Sequence, residues 1–268
     1  MDTAGSVDFH SIIPILLYHK IDPRWQFDIT NTSPIKFVNQ ISTIAADGFK
    51  VLPMEDALEH EAPSRIVGLT FDDGYESLRT NAAPILSEHG FAGTIFLIAN
   101  YIGRTNRWDA RLAGRKQRHL DYNDVFALLF DGWRIGAHGL THTAFTLLDD
   151  FTAQRELAES KDLLEQRFGQ PIISFAFPFG RFRLRHLEMA LAVGYRWLCV
   201  PHIPAGVEAA MRKSLIVRRA VYVFDSAKMF RHKWTLAALQ EWERKLLYLS
   251  NRLATGSVFV QYFRSIFT

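Results

Sequence analysis

The sequence predicts an α/β fold, a parallel sheet or barrel, and three observations carry that expectation. Short apolar runs rich in β-branched and aromatic residues recur along the chain and stop at turn signals, the mark of buried strands. Segments with helical apolar spacing lie between them, so strands and helices alternate. Several strands end abruptly in chemistry-bearing residues, as they do at the C-terminal mouths of parallel sheets and barrels.

In chain order, Ile12 to Tyr18 reads as a first strand ending in Tyr18-His19-Lys20. Ser33-Pro34 forms an N-cap and first helical position, opening a helix through Phe37, Ile41 and Ile44 to Gly48. A strand at Phe49 to Leu52 and a short helix from Met54 to His60 follow. Ile66 to Phe71 is a buried strand that ends in Asp72-Asp73-Gly74. The next helix crosses Leu78 and Leu86, with Pro84 interrupting it, and Ala92 to Ile98 is a strand. Residues 100–120 are polar and basic, with Arg104, Arg107, Arg111, Arg115, Lys116 and Arg118 around Trp108. They read either as a solvated loop or as a substrate rim, and the length together with Trp108 favours the rim.

Asp121 caps a helix through Phe126 and Phe130, and Trp133 to Ala137 is a strand running into His138. Thr152 to Phe168 is a helix with Leu157, Leu163 and Leu164 alternating with Glu156, Lys161 and Glu165, stopped by Gly169 and Pro171. Ile172 to Phe177 is a strand ending at Pro178-Phe179-Gly180. Leu184 to Val193 is a helix, and Tyr195 to Val200 and Leu215 to Val217 are strands. From Trp234 onward, Leu239, Trp242, Leu246, Leu249 and Leu253 make one helical apolar face, continued by Phe259, Phe263 and Phe267.

At 268 residues and 48% hydrophobic content, the chain can bury the core of one large domain, and no repeat or low-complexity linker divides it. Cys199 is the only cysteine, which excludes an intrachain disulfide and a cysteine-rich zinc site; a metal here would be held by His, Asp or Glu. Met1 to His10 carries Asp2 and Asp8 and no basic residue before the short apolar run, the reverse of a secretory signal, and no apolar stretch reaches bilayer length. The expectation is a cytoplasmic location. Of the net charge of +3, residues 229–268 carry +4, from six basic against two acidic residues, and the remainder −1. That excludes a nucleic-acid footprint on the main body and makes the tail the candidate contact for an acidic membrane surface or a protein partner, the alternative being that it packs on its own domain.

Four strand mouths carry the candidate chemistry. Asp72 and Asp73 are adjacent like charges, so one of them needs a cation or a proton, unless they serve only as turn and N-cap. His138 and His142, four apart, can converge on one point, and imidazole suits zinc and other transition metals. With Asp73 they would form a two-His, one-carboxylate ligand set with positions left open. Pro178 and Gly180 force a tight turn that either leaves the Phe179 amide aimed at a developing oxyanion or is an ordinary loop. His19 is a capping or packed residue, or an unmetallated proton donor at the same centre.

Together these motifs resemble the polysaccharide deacetylase family, carbohydrate esterase family 4, in its circularly permuted branch. Thr70-Phe71-Asp72-Asp73-Gly74, Ile135 to His142, Ala176 to Gly180 and Leu16-Leu17-Tyr18-His19 carry the resemblance, which covers about residues 12–225. It implies a single distorted (β/α)7–8 TIM-like barrel over residues 1–228. Residues 229–268 lie outside the resemblance, and their apolar face and charge read as a basic amphipathic helical extension packed on or beside the barrel. The resemblance implies Asp72 as catalytic base, Asp73, His138 and His142 as metal ligands, Phe179 as the oxyanion amide and His19 as catalytic acid. The arginine bracing the base would be Arg218 or Arg219, with Arg218 favoured because it continues the Leu215 to Val217 strand. Two positions depart from the pattern: Gly139 stands where Ser or Thr is usual, which should loosen the shell orienting His138, and Phe179 replaces a frequent Tyr. The implied activity is N-deacetylation of an amino-sugar glycan or glycan precursor, dependent on a divalent metal with zinc first. Trp108, Trp133 and the basic loop could stack on sugar rings, Trp133 being equally a core residue. The alternatives are an inactive glycan-binding or scaffolding barrel and a metal-dependent hydrolase of a small amide or imide.

Overall fold

The structure, a computed structural model, describes residues 13–24, 29–61, 64–105 and 117–235. The expectations for the first ten residues, for Trp108 with Arg107, Arg111, Arg115 and Lys116, and for the stripe from Leu239 onward fall outside the described residues.

Among the described residues, ten strands and eight α-helices follow in the order β1 (Ile15–Tyr18), β2 (Lys20–Ile21), β3 (Asn31–Thr32), α1 (Pro34–Ala46), β4 (Lys50–Pro53), α2 (Met54–Leu58), β5 (Ile66–Phe71) and α3 (Ala83–Ser87). Then come β6 (Thr94–Leu97), α4 (Tyr122–Phe130), β7 (Arg134–Ala137), α5 (Asp150–Phe168), β8 (Ser174–Ala176), α6 (Leu184–Val193), β9 (Trp197–Val200), α7 (Ala209–Arg212), β10 (Leu215–Ala220) and α8 (Ala227–Thr235). Seven of the strands, β1 and β5 to β10, close into a parallel ring, the TIM-like barrel expected. The first strand completes it: β1 pairs β10 on one side and β5 on the other, with Tyr18 level with Phe71. β4 stands outside this circuit, occupying the β5 edge from Ile66 to Leu69, whereas β6 takes the same edge at Thr70 and Phe71.

Local chemistry sets the helix ends. Ser33 Oγ accepts from Lys36 N at 3.3 Å, Asp121 and Asp124 form a capping box on α4, and Asp149 Oδ1 accepts from Thr152 N at 2.7 Å on α5. Gly169 ends α5 with φ +65. The helix expected across Leu78 and Leu86 is broken as Pro84 requires, into a π-helical turn over Leu78–Ala82 and then α3.

The main core lies between the ring and its helices, and Trp133 belongs to it: the indole is 2% exposed and 5.4 Å from the Phe71 ring, so it is no sugar platform. A second cluster draws on Phe96, Ala176, Cys199 and Ile216; Ile216 shares a strand face with Arg218. Deeper in, Glu55 of α2 accepts from Ser174 Oγ at 2.5 Å and from Thr94 Oγ1, tying α2 to β8 and β6, and burial raises its pKa. α8 runs across position 228. Its Phe230 and Trp234 are buried, and Arg231 reaches Asp47 at the end of α1 at 2.5 Å. No helix of the described residues is long and apolar enough to cross a membrane.

Candidate metal centre and active site

β5 is buried at every position, and its charged residues begin only where it leaves the ring. There the chain turns sharply: Asp73 adopts φ +71 and Gly74 φ +65, where a Cβ would come within 2.7 Å of Leu97 Cδ2. His138 follows β7, and its backbone N donates to Leu97 O at 2.8 Å, continuing the ladder. His142 closes the same loop at φ +62.

The turns bring three ligand atoms together. His142 Nε2 lies 3.1 Å and His138 Nε2 3.4 Å from Asp73 Oδ1, and all three side chains are buried. His138 Nδ1 is 2.7 Å from Ala176 O; a carbonyl only accepts, so Nδ1 carries a proton and Nε2 faces the carboxylate. Against burial, Asp72 and then Asp73 raise the His138 pKa, and release of the Nε2 proton frees a lone pair for a cation. Asp73 Oδ1 itself is buried without a hydrogen bond. Lone pairs converging on an unsatisfied buried carboxylate oxygen fit a bound cation, and two imidazoles plus one carboxylate fit a divalent transition metal. Burial holds His142 down at about 4, against the pull of Asp73, so that ring is neutral and able to ligate near neutral pH. For Asp73 burial works upward, but His142 and then His138, in their protonated forms, outweigh it and hold the carboxyl well below its usual range.

Asp72 has a separate partner. Arg218 Nη1 donates to Oδ1 at 2.6 Å and Nη2 to Oδ2 at 2.7 Å, while the guanidinium lies 4.9 Å from the Phe96 ring centroid. Against the upward push of burial, Arg218 and then His138 keep the Asp72 pKa low. Strand alternation decides between the two arginines: Arg219 faces the other way and donates to the carbonyls of His232 at 3.2 Å and Lys233 at 3.0 Å. His19 emerges from β1 beside Asp72, whose N donates to Tyr18 O at 3.0 Å. Its charge also helps lower both carboxyls, and its buried Nδ1 lacks a hydrogen bond. Phe179 sits in its turn at φ +58, with its ring 4.5 Å from that of His142. His19, Asp72, Asp73, His138, His142, Phe179 and Arg218 therefore lie at one mouth of the barrel.

Two further residues serve this mouth. Glu156 of α5 was grouped with the helix's polar positions, yet it is buried: Oε2 accepts from Leu140 N at 2.7 Å and Thr141 N at 3.0 Å, and Oε1 from Thr141 Oγ1 at 2.5 Å. Its spacing from Ala153, Leu157, Ser160 and Leu164 puts it on the buried stripe, a signal that was available. The loosening expected at Gly139 is corrected by the same contact. At φ +78 a Cβ there would lie 3.0 Å from Glu156 Oε2, so glycine lets the carboxylate close in, while Ala176 O orients His138. The second residue, His119, has Nδ1 2.7 Å from Asp73 O, and no sequence pattern marked it.

Comparison with known proteins points to one family. The family model described as polysaccharide deacetylase matches residues 59–198, just over half of the chain. YxkH of Bacillus subtilis is 28% identical over 189 residues, covering 69% of this chain and 62% of that protein. A Staphylococcus epidermidis protein named poly-β-1,6-N-acetyl-D-glucosamine N-deacetylase is 26% identical over 152 residues, covering 54% of this chain and 52% of its own. The chain thus spans about half to three fifths of the length of these relatives. The Streptococcus pyogenes deacetylase PplD, solved in complex with acetate, has the same fold, with a TM-score of 0.69 at 21% identity over 83% of this chain and 97% of that one.

Proposed function

Because this chain belongs to the polysaccharide deacetylase family, we propose that it is a metal-dependent hydrolase that removes N-acetyl groups from an amino-sugar glycan or glycan precursor. The observation that carries the reading is the convergence of Asp73, His138 and His142 beside an Asp72 clamped by Arg218. Asp73, His138 and His142 would hold the ion, zinc first, which when bound supplies Lewis-acid polarisation of the acetyl carbonyl and a water acidified toward neutral pH.

The chain's own residues do the rest. Asp72, kept ionised and oriented by Arg218, accepts the proton of the attacking water; the clamp lowers its basicity in exchange for a fixed direction. The Phe179 amide donates to the oxyanion that forms as water oxygen bonds to the carbonyl carbon. His19 gives a proton to the nitrogen as the C–N bond breaks, since an unprotonated amine leaves poorly. Acetate and a free amino sugar result. The name of the Staphylococcus relative makes poly-β-1,6-N-acetylglucosamine the first substrate to test.

The experiment is acetate release from acetylated amino-sugar oligomers, small amides and cyclic imides, with the chain stripped by chelator and then reloaded with zinc. Acetate from the oligomers, lost with chelator and regained with zinc, is the expected result. Zinc binding without turnover would turn the reading to a binding barrel, and cleavage confined to amides or imides would change the substrate class.

A further inference from the structure

His119 lies on the stretch that returns to the barrel mouth ahead of α4. Backbone hydrogen bonds strap that stretch onto the turn after β5: Glu76 N donates to Arg118 O and Leu120 N to Gly74 O, each at 2.9 Å, and Tyr75 and His119 form an antiparallel bridge between them. Within this strap His119 Nδ1 reaches the Asp73 carbonyl oxygen at 2.7 Å. The carbonyl can only accept, so Nδ1 carries the hydrogen. The ring is 2% exposed, stacked on Tyr75 at 5.0 Å and 23° and flanked by Tyr101 at 5.3 Å, so it cannot swing away from its acceptor.

The acceptor is the peptide that matters most to the centre. Asp73 is not glycine, yet it holds φ +71, a conformation that costs an L residue on the order of 1–2 kcal/mol and persists only where surroundings impose it. Relaxation of that φ would swing the carboxylate away from His138 and His142. We propose that His119 is a positioning residue whose Nδ1–H locks the Asp73 peptide in the left-handed conformation and so aims the carboxylate that ligates the metal. The inference rests on the metal-centre reading above and adds a residue from a different stretch of chain, one that acts through the Asp73 backbone.

The test separates the donor from the ring. His119→Phe keeps an aromatic in the stack and removes the donor, whereas His119→Asn removes the ring and keeps an amide donor near the Nδ1 position. Zinc dissociation constants are measured on the metal-stripped full-length chain by competition with a chromophoric chelator, together with the melting temperature of the metal-free protein. The phenylalanine variant is expected to bind zinc about 10–100-fold more weakly, as loss of a supporting contact around a metal ligand does, and the asparagine variant to recover most of that loss. Unchanged zinc affinity in the phenylalanine variant would overturn the proposal, as would equal losses in both variants. Should the phenylalanine variant not fold, His119→Ala replaces it, with the same comparison to asparagine. Failure of the unsubstituted chain to bind zinc would sink the metal-centre reading itself, an outcome distinct from either variant result.

Discussion

Arg218 and Asp72 meet fork to fork, with two parallel N–H···O bonds of 2.6 and 2.7 Å between side chains 7% and 5% exposed. A buried ion pair of this geometry adds direction more than stability, because desolvation of both partners offsets much of the attraction. Removing one partner is another matter, since it strands the other.

Arg218→Ala should therefore lower the unfolding free energy by about 3–5 kcal/mol, the cost of an uncompensated buried carboxylate. Arg218→Lys keeps the charge but cannot make the paired bonds, so it should fold, retain zinc and lose turnover. Denaturant titration and metal analysis of the two variants check this; a lysine variant with full activity would remove the orienting role.

Asp72→Asn should leave zinc bound and lower kcat by about 10²–10⁴, the range of a lost general base. His142→Ala should lose the zinc. Metal content measured alongside turnover separates the roles, and the opposite pattern would exchange the two carboxylates.

His19→Gln should slow cleavage of an acetylated amino sugar far more than cleavage of an activated aryl acetate, whose leaving group needs no proton. Equal losses on both substrates would show that His19 has another task.

Glu156→Ala leaves the Leu140 and Thr141 amides without their acceptor, at a cost of about 1–3 kcal/mol for the unsatisfied groups. It should also weaken zinc binding by about 10–100-fold, because His142 hangs from that loop. Calorimetric titration of the metal-stripped variant gives the answer directly.

Stability should fall on acidification through His186. The ring is fully buried and its Nδ1 accepts from Arg183 N at 3.0 Å, so protonation would abolish that bond; burial, then Arg185 and Arg183, push its pKa from 6.5 to about 4. The unfolded chain binds the proton first, so this contribution is intact above pH 6.5 and is lost as pH falls toward 4. Between pH 7 and 5 it amounts to at most about 2 kcal/mol. Urea titrations of the wild type and His186→Leu at both pH values should show a smaller pH dependence in the variant.

The strand mouths were legible in the sequence because each is a local event. Apolar runs that stop at Tyr18, Phe71, Ala137 and Phe177 deliver His19, Asp72, Asp73, His138 and Phe179 at the points where the strands end. Strand ends were less so: β10 continues past Val217 to Ala220, and β8 is shorter than its apolar run, because pairing partners and not composition decide where a ladder stops. Glu156 was misjudged, and Trp133 left open between core and sugar platform, for a related reason. A carboxylate in a helix reads as solvated until a loop places unpaired amides over it, and an indole at a strand start can face core or solvent.

From residue types and their spacing alone, the chain determined its α/β alternation, its helix caps and the kinds of ligand and proton-transfer groups it could offer. Tertiary structure decided which of them meet. Closure of the ring through β1 set His19 beside Asp72, strand alternation chose Arg218 over Arg219, and His119 reached Asp73 from a stretch without periodic signal. Periodicity and capping depend on neighbours within a turn or two of the chain. Convergence on one ion depends instead on register and on a few left-handed backbone angles, which are set by contacts between residues far apart in sequence.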